Sequence, residues 1–206
     1  MTSSNIGRRG LLGAAALLMA RPRLARAADA KPSAKPRVAI TTPHGVIVVE
    51  LEDKKAPITT ANFLGYVDAR KYENGSIYRA SRTPGSPGAG SIQGKCSDYV
   101  RRLPPIAHES TTKTGLRHRA GTISMGRTKP GTATADFFIC ASALPYLDAH
   151  PGEPGDNLGY AAFGQVVSGM PVVKKILALP TDGKAEVPAM KGQILTKPLA
   201  ISMKRV

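Results

Sequence analysis

Tryptophan is absent from this 206-residue chain, and only 5% of its residues are aromatic. The hydrophobic core must therefore be built mainly from aliphatic and small side chains. Cysteine is also scarce, and two cysteines in a chain of this length exclude a disulfide-based miniprotein. Acidic residues number 14 against 29 lysines and arginines, which gives a net charge of +15. A hydrophobic fraction of 42% and this length nevertheless predict one folded domain of ordinary size.

The longest apolar run, from Leu11 to Ala20, is too short to span a bilayer, for which about 20 apolar residues are needed. Arg8 and Arg9 precede it, and Ala25-Arg26-Ala27 follows with the small-x-small pattern of a signal-peptidase site. The arginine pair followed by two leucines resembles a twin-arginine export signal. A general secretory signal and an uncleaved anchor are the alternatives, and the arginines after the apolar run favour the twin-arginine route. We therefore predict that residues 1–27 are a signal peptide and that the protein is periplasmic.

Positive charge is concentrated in two parts of the chain. The predicted signal peptide contains five arginines and no acidic residue, so one third of the net charge lies there. Residues 101–129 contain seven lysines and arginines and one acidic residue, Glu109. Such a run is usually a solvated surface, and no recognition helix, zinc pattern or interleaved aromatic residues accompany it. We expect no nucleic-acid partner and no stable membrane insertion after signal removal; attraction to anionic lipid or acidic client segments is the alternative.

Short β-branched runs dominate the rest of the chain. Residues 28–36 are rich in alanine, lysine and proline and predict a flexible tether before a single domain over 37–206. Val38–Thr42 and Gly45–Leu51 flank Pro43-His44-Gly45 and predict a β-hairpin. Apolar residues at helical spacing predict helices that begin near Pro57 and near Met170. Further strands are predicted at Ser76–Ala80, Gly121–Met125, Phe137–Ala141, Phe163–Val167 and Leu199–Met203. The pattern favours a closed antiparallel barrel or a sandwich.

Five sequence blocks, spread over nearly all of residues 37–206, carry a family resemblance. They are residues 42–51 with 56–63, Tyr72-Glu73-Asn74-Gly75-Ser76-Ile77-Tyr78-Arg79, Ile92-Gln93-Gly94, residues 121–125 with 136–139, and residues 146–148 with 160–170. In this order they resemble the cyclophilins, a family of peptidyl-prolyl cis-trans isomerases. The resemblance implies a mainly β fold: a closed eight-stranded antiparallel β-barrel capped by two α-helices. It also implies catalysis without a cofactor or a metal.

The resemblance assigns candidate site residues. Rotation about an X–Pro bond must break amide resonance, against a barrier of about 18–20 kcal/mol. Arg79 matches the arginine whose guanidinium stabilises the twisted amide, and Gln93 matches the glutamine that orients this arginine and the substrate backbone. The other matches are substrate-binding residues: Phe138 and Leu147 as walls of the proline pocket, Tyr146 and Tyr160 at its rim, and Gly126 and Arg127 beside the bound peptide backbone.

The chain departs from the family pattern at three places. Residues 82–89 are expected to form an enlarged loop between Arg79 and Gln93, and Gly90-Ser91 replaces the large apolar pair that completes the family's pocket. Asp136 stands where the family usually has glutamine. As a substrate-binding residue it is expected to hold Arg79 in place or to occupy its donors, the alternative being a salt bridge elsewhere at the barrel rim.

Two hypotheses of function follow from these matches and departures. In the first, the protein is an isomerase that acts on proline-containing segments of exported proteins. In the second, it is a catalytically weak peptide-binding or chaperone module. We expect a monomer in either case.

Other reactive residues predict no further site. The four histidines lack metal-ligand spacing, and no serine lies in a nucleophile-elbow motif or suggests a catalytic triad. Cys96 and Cys140 fit a single disulfide and two thiols equally well, and Cys140 is expected to be buried in a strand.

Overall fold

The computed structural model describes residues 34–97 and 102–206. The predicted signal peptide (residues 1–27) and most of the predicted tether (28–36) lie outside the described residues, so both stay predictions. The strands are β1 (Arg37–Thr42), β2 (Gly45–Leu51), β3 (Gly75–Thr83), β4 (Ser86–Lys95), β5 (Thr122–Met125), β6 (Phe137–Cys140), β7 (Ala162–Ser168) and β8 (Ile194–Arg205). The helices are α1 (Pro57–Asp68), the single turn α2 (Thr111–Thr114) and α3 (Met170–Leu177).

The eight strands form a closed barrel in the order β1-β2-β7-β5-β6-β4-β3-β8. Every neighbouring pair is antiparallel, including β8 with both β1 and β3, which closes the sheet on itself. Closure removes the exposed edges that an open sheet presents to other chains. The predicted eight-stranded antiparallel barrel with two longer helices is confirmed.

The local turn and helix signals in the sequence also lie where they were predicted. Thr42 faces Gly45 across the β1–β2 hairpin, so Pro43 and His44 form a two-residue loop. Helix α1 begins at Pro57. Proline lacks a backbone N–H, but the N–H at the first position of a helix has no partner within the helix, so no helical hydrogen bond is lost. The first turn of α1 lacks a side-chain cap from Ala56 and is capped instead by Glu109, whose two carboxylate oxygens accept the amides of residues 58 and 59 at 3.1 and 2.7 Å.

The core fills the barrel and extends beneath α1. Isoleucines from seven of the eight strands are almost fully buried, as the scarcity of aromatic residues predicted. The few aromatic residues are concentrated at one place, where Phe63 of α1 contacts the rings of Tyr72, Phe137 and Phe163 with centroid separations of 5.1–5.9 Å. Phe63 therefore joins the helix to the barrel. Ala61, which lies in the same helix, is exposed.

The prediction of an enlarged loop at residues 82–89 is wrong. The segment continues β3 and β4 as a longer hairpin that turns at Pro84-Gly85, with Gly85 at a φ of 73°. Its base is held by Arg82, whose Nε donates to the carbonyl oxygen of Leu177 at 2.8 Å and whose Nη2 donates to that of Leu179. Because Arg82 binds the carbonyl end of α3, the hairpin is anchored to that helix.

Among residues 34–97 and 102–206, no helix combines the length and the apolar character needed to cross a membrane. Within the same residues Cys140 is a free buried thiol in β6, and the buried Cys96 is not joined to it by a disulfide. Burial raises the pKa of the Cys140 thiol to about 12, so it stays protonated.

Removal of the Phe63 ring tests the packing of α1 on the barrel. Phe63→Ala is expected to lower the free energy of unfolding by about 3–5 kcal/mol, because a fully buried ring leaves a cavity among three aromatic neighbours. Ile58→Ala is the matched control on the same helix, since the Ile58 side chain is exposed and its loss should change stability by less than about 0.5 kcal/mol. Urea denaturation gives both values, and equal effects of the two variants would contradict this packing.

Candidate active site

A β-bulge brings Arg79 to the outer face of the barrel. The register of β3 shifts between Ile77 and Arg79 against both β4 and β8. Ile77 and Ala80 therefore point into the core, while Arg79 lies on the outside opposite Gln93 of β4. Bulges are common beside active sites because they redirect a side chain in this way. The two residues predicted to cooperate are thus direct neighbours across two strands.

The Arg79 guanidinium is held by two glutamines. Its Nη1 donates to Gln93 Oε1 at 2.9 Å, as expected from the resemblance. Its Nε and Nη2 donate to Gln193 Oε1 at 2.9 and 2.5 Å, a contact that the sequence analysis did not predict. Both partners are neutral amides. Among the described residues no carboxylate forms an ion pair with Arg79, so the positive charge is oriented without being neutralised. A fixed, unpaired cation of this kind can polarise a bound carbonyl or hydrogen-bond a developing lone pair.

Phe138, Leu147 and Tyr160 form an apolar wall opposite the arginine. Phe138 lies beside Gln93 across β4 and β6, and it belongs to a small cluster separate from the barrel core, on which Leu147 and Tyr160 pack. The Phe138 and Tyr160 rings meet edge to face at 5.4 Å. The wall is therefore rigid although it lies outside the core.

Arg127 supports the rim of this wall. Its guanidinium lies 5.0 Å from the centroid of the Tyr160 ring and donates to the carbonyl oxygen of Gly159 and to the carboxylate of Asp156. The Arg127 side chain is 4% exposed, so it acts as a support for Tyr160 more than as a free charge. Next to it, a Cβ added at Gly126 would come within 3.3 Å of the Gln93 amide nitrogen, so glycine leaves space beside that glutamine.

These residues line one open cleft of about 310 Å³. The structure brings together eight of the predicted site residues there: Arg79, Gln93, Gly126, Arg127, Phe138, Tyr146, Leu147 and Tyr160. Three further residues, Ser81, Ser91 and Met190, complete the lining; of these only Ser91 stands at a position that the resemblance assigns to the pocket. Ser81 and Ser91 are signalled by their positions two residues from Arg79 and Gln93, which place them on the same strand face. Met190 carries no such signal, because it lies far along the chain.

The placement of Asp136 differs from the expected contact with Arg79. Its Oδ1 accepts a hydrogen bond from Arg102 Nη2 at 2.7 Å, which corresponds to the alternative of a salt bridge elsewhere at the rim. Arg102 also donates to Thr134 Oγ1 at 3.0 Å. Burial raises the pKa of the Asp136 carboxyl and outweighs the opposing effect of Arg102. Asp136 therefore leaves the donors of Arg79 available to a substrate.

A buried polar chain lies behind Phe138. Asp148 Oδ1 lies 2.7 Å from His118 Nδ1, and His118 Nε2 lies 3.0 Å from Ser124 Oγ. The carboxylate can only accept, so the neutral ring carries its proton on Nδ1 and accepts the Ser124 hydroxyl at Nε2. No such Ser-His-Asp arrangement was predicted from the sequence. Because Ser124 is fully buried, its hydroxyl cannot reach a substrate as a nucleophile.

The buried chain instead supports the pocket wall. The His118 ring stacks on Phe138 with a centroid separation of 5.8 Å and an interplanar angle of 15°.

Within the described residues no group of three histidine, cysteine, aspartate or glutamate side chains is placed to hold a metal ion.

Comparisons with known proteins agree with the sequence resemblance. The family model described as cyclophilin type peptidyl-prolyl cis-trans isomerase/CLD matches residues 37–197. The chain is 38% identical over 148 residues to peptidyl-prolyl cis-trans isomerase A of Dickeya dadantii, and the aligned region covers 70% of this chain and 73% of that protein. It is 37% identical over 145 residues to peptidyl-prolyl cis-trans isomerase B of Escherichia coli, and the aligned region covers 70% of this chain and 85% of that protein.

A solved structure shares the fold. It is a cyclophilin type peptidyl-prolyl cis-trans isomerase of Cryptosporidium parvum in the presence of the dipeptide Ala-Pro, with a TM-score of 0.58 and 22% identity, covering 81% of this chain and 96% of that chain.

The protonation of His118 provides a pH test of the buried chain. Burial lowers the pKa of His118 below its usual value of about 6.5, although Asp148 opposes the shift. Below about pH 6.5 the unfolded chain binds a proton at this residue that the folded chain does not bind. The free energy of unfolding contributed by His118 is therefore fully present above about pH 6.5 and is expected to decrease as the pH falls below it. Urea unfolding at a series of pH values measures this slope.

Two further measurements isolate the contribution of His118. In His118→Gln the slope below about pH 6.5 should be smaller. The raised pKa of Asp136 acts in the opposite direction, so it cannot imitate the effect. An NMR titration in which the His118 ring of the folded protein became protonated at or above pH 6.5 would contradict the prediction.

Proposed function

The chain belongs to the cyclophilin-type peptidyl-prolyl cis-trans isomerases, and from this premise we propose that it accelerates X–Pro rotation in exported proteins, with Arg79 stabilising the twisted amide. The observation that supports this role is the position of the Arg79 guanidinium. Gln93 and Gln193 fix it in an open cleft, and Phe138 and Leu147 line the same cleft. A peptide proline fits such an arrangement, with its ring on the apolar wall and its amide beside the cation.

The proposed catalysis depends on a difference between the planar and the twisted amide. In the planar amide the nitrogen lone pair is delocalised into the carbonyl, and in the twisted amide it is localised on nitrogen and accepts a hydrogen bond. A guanidinium donor held beside the proline therefore binds the transition state more strongly than either planar isomer. Because Gln93 and Gln193 already orient the donor, little reorganisation is required during the reaction.

The backbone beside Gly126 is the proposed contact for the rest of the peptide. Gly126 and Arg127 follow β5 directly, at the edge of the cleft, and the glycine leaves room for a main chain to approach. Main-chain pairing of this kind would accept varied side chains around the proline.

Export is the second part of the proposal, and its support comes from the sequence of residues 1–27. An arginine pair, a short apolar run and a small-x-small site are arranged as in a twin-arginine signal peptide. We place the protein in the periplasm as a monomer whose partners are proline-containing segments of newly exported proteins. Catalysed X–Pro exchange is useful there because uncatalysed exchange takes tens of seconds or more.

Substitution of Arg79 tests the proposed catalysis. Arg79→Ala is expected to slow the catalysed exchange of a short Ala-Pro peptide about a hundredfold, because a preoriented donor to the transition state is lost. Exchange NMR without a coupling protease measures the rate directly. Arg119→Ala is a matched control, since Arg119 is an exposed arginine away from the cleft and its loss should leave the rate unchanged.

Equal rates for Arg79→Ala and the unaltered protein would contradict the role of Arg79. Peptide binding without any accelerated exchange would instead support a binding or chaperone module, for which the replacement of the family's apolar pair by Gly90-Ser91 is the motivating observation.

Substitution of the arginine pair tests the proposed export route. Arg8→Lys combined with Arg9→Lys should leave the protein in the cytoplasm of a bacterial host, because the twin-arginine route requires the pair. Arg21→Lys combined with Arg23→Lys is the matched control and should still be exported. Fractionation and immunoblotting detect the location, and unchanged export of the first variant would contradict the twin-arginine route.

A further inference from the structure

The pocket lacks a wall at Gly90-Ser91, where the family resemblance implies a large apolar pair. Gly90 has a φ of 140°, and a Cβ there would lie 2.0 Å from the carbonyl oxygen of Ser81 and 2.9 Å from the Cα of Arg82. The long β3–β4 hairpin brings these backbones together, so no side chain fits at position 90. Its neighbour Ser91 lines the cleft with only a hydroxyl group. An apolar surface that replaces the family's pair must therefore come from another part of the chain.

Met190 is an apolar residue of the cleft lining, and its segment leads into β8, the neighbour of β3 on the side away from β4. It ends a short 3₁₀ turn, Pro188–Met190, that precedes β8, and its side chain lines the cleft together with Arg79, Ser81 and Ser91. A thioether side chain is flexible and polarizable, so it adapts to an apolar ligand of irregular shape.

Gln193 connects the same segment to the guanidinium. Its Oε1 accepts both the Nε and the Nη2 of Arg79, while its Nε2 donates to the carbonyl oxygen of Ala189 at 3.2 Å. Its main-chain carbonyl oxygen accepts the amide of Ala80, at 2.8 Å, next to Arg79 in β3. The glutamine is therefore fixed at its backbone and at its side chain, which is what orientation of a partner requires.

A tight turn sets the distance between Met190 and Gln193. The amide of Gln193 donates to the carbonyl oxygen of Met190 at 3.0 Å, with Lys191 at φ −56° and ψ 132° and Gly192 at φ 75°. These angles are those of a type II β-turn, which favours glycine at its third position. The turn places the two side chains on the cleft from one short segment.

We propose that Met190 and Gln193, from the segment before β8, complete the site: Met190 is a specificity-determining wall of the proline pocket, and Gln193 is a positioning residue for Arg79. This inference rests on the proposed function of the Arg79 cleft and deepens it. The segment takes over the apolar contact that the β3–β4 hairpin excludes at position 90.

The first test separates positioning from binding. Gln193→Ala is expected to lower kcat for an Ala-Pro peptide about tenfold or more with little change in KM, because Arg79 loses the acceptor of two of its donors. Gln193→Glu keeps an acceptor of the same length, so Arg79 should stay in place, but its carboxylate pairs with the cation and kcat should remain well below that of the unaltered protein. Lys191→Ala is the control in the same segment, since its side chain is exposed and is not part of the cleft lining.

The second test concerns the wall. Met190→Ala is expected to raise KM about tenfold while kcat changes less, because apolar contact with the proline side of the substrate is lost. Met190→Leu conserves the apolar volume and should stay close to the unaltered protein. If both variants at position 190 had unaltered KM, the assignment of Met190 would be wrong.

An NMR measurement of Arg79 keeps the inference testable whatever the catalytic rate. In Gln193→Ala the Arg79 Nε–H signal should move and exchange faster with water, whereas in Lys191→Ala it should not. An unchanged signal together with unchanged kcat would overturn the positioning role while the Arg79→Ala result still supported the proposed function. If the unaltered protein does not accelerate exchange, the proposed function fails, and peptide affinity of Met190→Ala together with the Arg79 signal decides the inference separately.

Discussion

The hydrogen bonds that fix the Arg79 guanidinium between two neutral amide oxygens are the contacts on which the rest of the site depends. Gln93 reaches it from β4, and Gln193 reaches it from the start of β8. A carboxylate in either position would bind the arginine more strongly and would also satisfy its charge. The nearby carboxylate of Asp136 is instead paired with Arg102. The arrangement therefore keeps the cation ordered and electrostatically available, which a stabiliser of a twisted amide requires.

The barrel supplies this site by making its outer face a second surface with its own packing. On β6, Phe137 points into the main core, and Phe138 points outwards into a separate small cluster. Behind Phe138, the ring of His118 is held by Asp148 and Ser124. A pocket wall must be partly uncovered, so it cannot obtain its rigidity from complete burial. Stacking on a hydrogen-bonded histidine gives that rigidity from one side.

Much of the fold and half of the arginine's environment could be predicted from the sequence. Short-range signals were sufficient for the β1–β2 hairpin and for the two helices with a proline in their first turn, because each depends on a few adjacent residues. Gln93 could be predicted because it matches the site glutamine of the family it resembles, and the structure places it on the strand next to Arg79. Gln193 could not, since it lies 114 residues away from Arg79 and only barrel closure by β8 brings the two together. The pairing of Asp136 with Arg102 depends in the same way on tertiary contacts across 34 residues.

The hairpin at residues 82–89 shows how one local change is accommodated elsewhere in the site. Its extension excludes a side chain at Gly90, and we propose that Met190, which lines the same cleft, supplies the lost surface. A crystal structure of the protein with a bound proline-containing peptide tests the account most directly. The account predicts the proline ring between Phe138 and Met190, with the Arg79 guanidinium within hydrogen-bond distance of the prolyl amide. A proline bound elsewhere, or bound here with Arg79 turned away from its amide, would contradict it.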